Sequence, residues 1–242
     1  MARQESVVTP ERYASGMTFD QYLAWIATPA SLAREGSRGD ARRDWSGHMR
    51  QWYESMPLDG AQAAAWKELA GLPGGPARIL AISEEWSSDC RRDVPLVARV
   101  AATAGMELRI FPRDGQKFSR SQRPTLAEAP DSNADIMAEF LNVKDGQTWQ
   151  SIPVAVFYTR DLQYLYHYVE YPAIYHKDRL RGHMVAARPG ETKEQAEQRG
   201  GREFMELQRS PFFRVWAGAG IDEMLSALHE RLTVGPPPEH AA

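Results

Sequence analysis

The chain has 242 residues, 43% of them apolar and 25% charged, the balance of an ordinary globular protein. A formal net charge of −3 excludes the strongly basic surface that nucleic acid or an anionic membrane would call for. A single cysteine excludes an internal disulfide framework, and no apolar run approaches the ~20 residues needed to cross a bilayer.

The N-terminus, Met-Ala-Arg-Gln-Glu, carries no apolar leader, so a cytoplasmic location is expected. Residues 1 to about 72 read as helices. Thr18 with Gln21 forms a capping-box signature ahead of Phe19, Tyr22, Leu23 and Ile26, which share one face. Asp40 is placed to cap the next helix, where Trp45, Met49, Trp52, Tyr53 and Met56 recur at helical spacing. Asp59 with Gln62 makes another box before Trp66 and Leu69, and Gly71 to Pro76 ends the element. Aromatic stripes of this kind are expected to pack on a core. Arg34, Arg38, Arg42, Arg43 and Arg50 are diluted by Glu35, Asp40 and Asp44, so a solvated helix face is expected there rather than an RNA or phosphate site.

Ile79 to Ile82 is a short apolar run after a Gly-Gly-Pro breaker, as in a strand covered on both faces. Ser83 to Ser88 turns the chain. From Asp89 a helix is predicted with Val94, Val97, Ala98, Ala101 and Ala102 on one side, and the lone Cys90 lies at its N-terminus. Met106 to Phe111 reads as a second strand, and Gln116 to Pro130 as a polar surface loop. Asp131 or Ser132 is placed to cap a helix bearing Ile136, Met137, Phe140 and Leu141. After a turn at Gly146 come the Ile152-Pro153 joint and a strand over Val154 to Tyr158. Thr159-Arg160-Asp161 then leads into Leu162 to Tyr171, whose alternation puts Tyr164, Tyr166 and Tyr168 on one face and Leu165, His167 and Val169 on the other. Pro172 to Pro189 reads as irregular and basic. Thr192 with Gln195 opens a polar helix to about Gln208, and Ile221, Met224, Leu225 and Leu228 mark a final amphipathic helix over a sheet face. The expected organisation is a helical extension over 1–74, a core with C-terminal helices over 75–235, and a mobile tail over 236–242.

Trp86-Ser87-Ser88-Asp89-Cys90, with Pro95 five residues beyond the cysteine, resembles the thioredoxin pattern Trp-Cys-Gly-Pro-Cys and its helix-kinking proline. Ser151 to Phe157 is similar to the family's cis-proline segment, and Met106 to Asp114 resembles its next strand with an acidic end. The aspartate in the third motif position resembles a bacterial thioredoxin-like group with a Trp-Cys-Gly-Asp motif. The likeness runs from about Arg78 to Val169. It implies an α/β fold, a thioredoxin-like mixed sheet flanked by helices, here with an N-terminal helical extension and a C-terminal helical addition. It also implies a cis Pro153 opposite the Ser87–Cys90 turn, Ile152 backbone groups available to an extended peptide, and a Trp86 indole oriented by Asp114.

The resemblance places the attacking thiol at Ser87, and only the resolving position, Cys90, keeps its sulfur. A hydroxyl cannot form a disulfide, so the dithiol cycle is unavailable within the chain. If any residue is catalytic it is Cys90: the helix N-terminus with Arg91 and Arg92 would activate it, whereas Asp89 and the poor exposure of that family position oppose this. Ser87 and Ser88 are expected to cap the helix, there being no Gly-x-Ser-x-Gly setting around them. No P-loop follows Gly74-Gly75, and His167, His176 and His183 lack zinc-ligand spacing, so no cofactor or metal is expected. The leading expectation is a thioredoxin-family protein with dithiol activity lost or reduced to a monothiol. It would hold an extended peptide or thiol-bearing protein between Trp86, Cys90 and Ile152-Pro153. The alternatives are a non-catalytic binding or scaffold protein, and a non-redox enzyme using Asp89, Arg113 and Asp114 around an anion. Oligomeric state is left open.

Overall fold

The computed structural model describes residues 6–37, 39 and 41–235. The chain divides into two compact units, Met1–Glu170 with Met224–Ala242, and Tyr171–Glu223. Residue 40, the expected helix cap, and the tail from 236 lie outside the described residues.

The first unit opens with α1 (Pro10–Ala14), α2 (Phe19–Ile26), α3 (Pro29–Leu32), α4 (Ser46–Ser55) and α5 (Gly60–Gly71). Local chemistry starts these helices where the sequence says it should. Thr18 Oγ1 accepts the Gln21 N–H at 3.3 Å and Gln21 returns a bond to the Thr18 N–H at 2.9 Å; Asp59 and Gln62 do the same for α5. Each such cap is worth about 1 kcal/mol. Between α3 and α4 the described residues form no helix, so the arginines there do not make the solvated helical face expected of them.

The sheet follows as β1 (Arg78–Ser83), β2 (Glu107–Pro112), β5 (Val154–Tyr158) and β6 (Tyr164–Val169), in the order β2-β1-β5-β6. β1 and β2 are parallel and are joined through α6 (Ser88–Ala104), which ends at a left-handed Gly105; β5 and β6 run antiparallel to their neighbours. β5 is buried throughout and β1 from Ile79 onward, which is why both read as unbroken apolar runs. α7 (Ala134–Glu139) and a small hairpin, β3 (Asn142–Lys144) with β4 (Gln147–Trp149), complete the unit. The hairpin turns at Asp145-Gly146, both with positive φ, as a tight two-residue connection requires.

Two side-chain directions differ from expectation. The β5–β6 register slips between Phe157 and Tyr158, so that Tyr158 pairs with Tyr164 and Phe157 with Tyr166. Leu165 is the extra residue, and the bulge turns Tyr164 onto the face of His167 and Val169. Tyr164 accordingly bonds His167 Nδ1 at 2.7 Å, while Tyr166 and Tyr168 keep the opposite face. On α6, Ala102 is exposed, whereas every residue from Asp89 to Ala98 is buried, charged ones included.

The second unit contains α8 (Lys177–Val185), α9 (Lys193–Arg209) and the start of α10 (Pro211–Thr233). α8 occupies a stretch expected to be irregular, and α10 begins directly after α9, with Ser210 alone between them, rather than near Ile221. Arg199 ties α9 to the end of α8, donating to the carbonyls of Met184 at 2.7 Å and Ala186 at 2.8 Å. Trp216 stacks on Tyr175 with centroids 4.1 Å apart. Among the described residues no helix is long and apolar enough to cross a membrane.

Candidate functional site

Register brings the chemistry to one end of the sheet. Ser83 at the end of β1 pairs with Pro112 of β2, and Ile82 pairs with Val154, the first residue of β5. The turn 84–87, the pair Arg113-Asp114 and the Ile152–Pro153 bond, which is cis, therefore gather at the same edge as the N-terminus of α6.

Ser87 is the N-cap of α6, its Oγ accepting the Cys90 N–H at 3.4 Å. The hydroxyl is thus engaged in satisfying the helix terminus. Cys90 has 0% exposure, and its Sγ accepts the Glu84 N–H at 3.5 Å. Burial pushes its thiol up to about 12, against the smaller opposing pull of the Glu84 N–H. Ile152 and Pro153 are buried as well, Trp86 and Ser88 are half-buried, and Asp89 is buried. The expected groove residues come together, but its floor is closed to solvent.

Charge has been buried around that floor. Arg34 donates to both oxygens of Glu84, at 3.2 and 3.0 Å, to Glu85 at 3.3 Å and to the Asp114 carbonyl at 3.1 Å. Arg42 bonds Glu84, meets both Glu85 oxygens at 3.1 Å, and turns its other Nη toward Asp114 Oδ2 at 3.6 Å. Arg113 grips Asp114 at 2.8–3.0 Å, and Glu84 accepts the Asp114 N–H at 2.7 Å. Three carboxylates meet three guanidiniums, all almost wholly inaccessible, so each charge is compensated where water is excluded. Burial and the adjacent Glu84 raise the Glu85 carboxyl, and burial raises that of Asp114.

A second cluster lies along α6. Arg92 pairs with Asp89 at 3.1 Å and with Asp93 at 2.6 and 2.7 Å, and the Tyr168 hydroxyl of β6 donates to Asp93 at 3.1 Å. Among the described residues Asp89 pairs with Arg92, while Asp114 is held by Arg113. Arg91 donates to the carbonyls of Glu85 and Trp86 at 2.9 Å each and lies 4.0 Å over the Trp45 ring, which leaves it serving the turn itself.

The Trp86–Asp114 hydrogen bond implied by the resemblance is not formed. Asp114 accepts from Arg113 and from the Ser119 N–H at 3.3 Å, and the buried Trp86 Nε1 has no hydrogen-bond partner among the described residues. The Trp86 ring instead meets Phe118 at 5.4 Å. Glu84, Glu85, Arg34, Arg42 and Phe118 are the site residues that sequence reading passes over. The usable signal was an acidic pair directly after a buried strand, which demands cations from elsewhere in the chain. Among the described residues, no group of three or more His, Cys, Asp or Glu side chains is placed to hold a metal ion.

Sheet order, the helix after β1 and this constellation define a mixed α/β, thioredoxin-like fold. A family model described as Thioredoxin matches residues 39–130, which supports a thioredoxin-like superfamily. A crystal structure of a protein of unknown function from Pseudomonas aeruginosa is similar at TM-score 0.51 and 14% identity, covering 93% of this chain and 98% of that one. A crystal structure of an HIV epitope-scaffold is similar at TM-score 0.48, with the same identity and coverage. At such identity the likeness concerns the fold alone. No curated protein matches the chain.

Proposed function

We propose that this is a thioredoxin-fold protein whose thiol–disulfide chemistry is lost and whose role is to bind an extended peptide segment in the cytoplasm. One observation carries the loss: the only thiol is wholly inaccessible and pushed up to about 12, beside a serine hydroxyl engaged in capping. A thiol raised in this way by burial is less ionised at neutral pH than a free cysteine, and the thiolate is the attacking form. A monothiol role has no support in this geometry. The binding role is favoured by Trp86, half-buried at the mouth of the site, whose indole N–H has no acceptor among the described residues.

The test is alkylation of Cys90 by iodoacetamide in the native protein across neutral to alkaline pH, alongside an insulin-reduction assay. Labelling is expected only as fast as the protein unfolds, with no disulfide reduction. Rapid native labelling at neutral pH, or reduction that disappears in Cys90→Ala, would reinstate a monothiol mechanism.

A further inference from the structure

Residues 116–122 contact both Trp86 and Gln150, the latter two positions before Ile152. We propose that residues 116–122 form a displaceable plug, an autoinhibitory contact on the peptide site assigned above, and this inference rests on that assignment. The segment reaches from one wall to the other. On the first wall Phe118 packs edge-on against Trp86, with the Arg113 guanidinium 5.1 Å from the Trp86 ring and 4.8 Å from Phe118. On the second, Gln150 Nε2 donates to Ser119 Oγ at 2.8 Å and to the Ser121 carbonyl at 2.9 Å. Between them the segment's own N–H groups reach carboxylates: Phe118 to Glu35 at 3.3 Å and Ser119 to Asp114 at 3.3 Å.

Three features make this contact a plug rather than part of the core. The segment has no regular secondary structure, and Phe118 is its one apolar side chain, itself only half-buried. Its anchors are individual hydrogen bonds, the kind of local structure that opens at far lower cost than the sheet beneath. It also leaves a buried donor unsatisfied, because nothing in the segment accepts from Trp86 Nε1. An incoming peptide that supplied an acceptor there would make one bond the plug does not, and so gain on it. The chemistry of the plug names its competitor: an extended segment with an aromatic side chain in the place of Phe118, flanked by cations as Lys117 and Arg120 flank it.

The experiment uses the full-length chain and a fluorescein-labelled peptide reproducing residues 115–124. Phe118→Ala weakens the first wall's hold and Gln150→Ala the second's, so one variant remains informative if the other misfolds. In either folded variant, trypsin cleavage after Lys117 or Arg120 and peptide affinity should both rise about tenfold over the parent, the worth of one aromatic contact with its cation for Phe118→Ala and of two hydrogen bonds for Gln150→Ala. Unchanged cleavage and affinity would overturn the proposal, as would a released segment with no peptide bound. Cys90 alkylation in the same variants separates the two readings. Fast labelling there would end the claim of lost thiol chemistry while leaving the plug to be judged on cleavage and peptide binding.

Discussion

Two buried charge clusters flank Cys90, and they are built on opposite plans. The cluster on α6 is mostly local among the described residues: Arg92 pairs with residues one and three positions away, and Tyr168 comes from a distant strand. The cluster at the sheet end is long-range, with Arg34 and Arg42 reaching Glu84 and Glu85 across about 42–51 positions of sequence. The first fastens one helix to one strand. The second ties the N-terminal segment to the turn before α6, so that paired charge is buried close to Cys90.

The contrast can be broken first at Arg42. Arg42→Ala leaves Glu84 and Glu85 to share Arg34 alone and should cost about 3–5 kcal/mol in urea unfolding. Joining it with Glu84→Gln should recover part of that loss, because coupled partners are not additive. A cost below about 1 kcal/mol, the value of an exposed pair, would show that the cluster is not a clamp. The α6 cluster is expected to be more forgiving. Tyr168→Phe removes a single bond to Asp93, which retains Arg92, and should cost about 1.5 kcal/mol by the same measurement.

The smallest effect is a dependence on pH. Burial, then the charge of Glu84, raises the Glu85 pKa in the folded chain above its unfolded value. The folded state therefore holds a proton that the unfolded state has released, and the stability this provides is lost as pH rises from the carboxylate range toward neutral. Glu85→Gln cannot titrate, so its urea midpoint should fall less than the parent's between about pH 4.5 and about pH 7. Equal falls would mean that Glu85 stays ionised throughout.

What was legible in the sequence follows the same division between local and distant. The boxes at Thr18-Gln21, Asp59-Gln62 and Thr192-Gln195 were readable because each closes within three residues. β1 and β5 were readable because a strand covered on both faces must be apolar throughout. The turn and Ile152-Pro153 were found through the resemblance to thioredoxins, and the structure brings them to one sheet end. Arg34 and Arg42 were misread because nothing near them reveals the acids they meet, and a diluted arginine run looks the same whether solvated or paired. Phe118 was hidden in a polar stretch whose composition describes a loop but not what it lies against. α8 was missed because Lys177–Val185 has no buried face to leave an apolar period.

Leu165 carries a consequence for anyone comparing this chain with its relatives. Because one extra residue sits in β6, matching tyrosine to tyrosine by eye would assign Tyr164 the surroundings of Tyr166 and Tyr168. A gap opened opposite Leu165 gives each ring its proper neighbours. Placed anywhere later in the strand, it would exchange inside for outside at every position between.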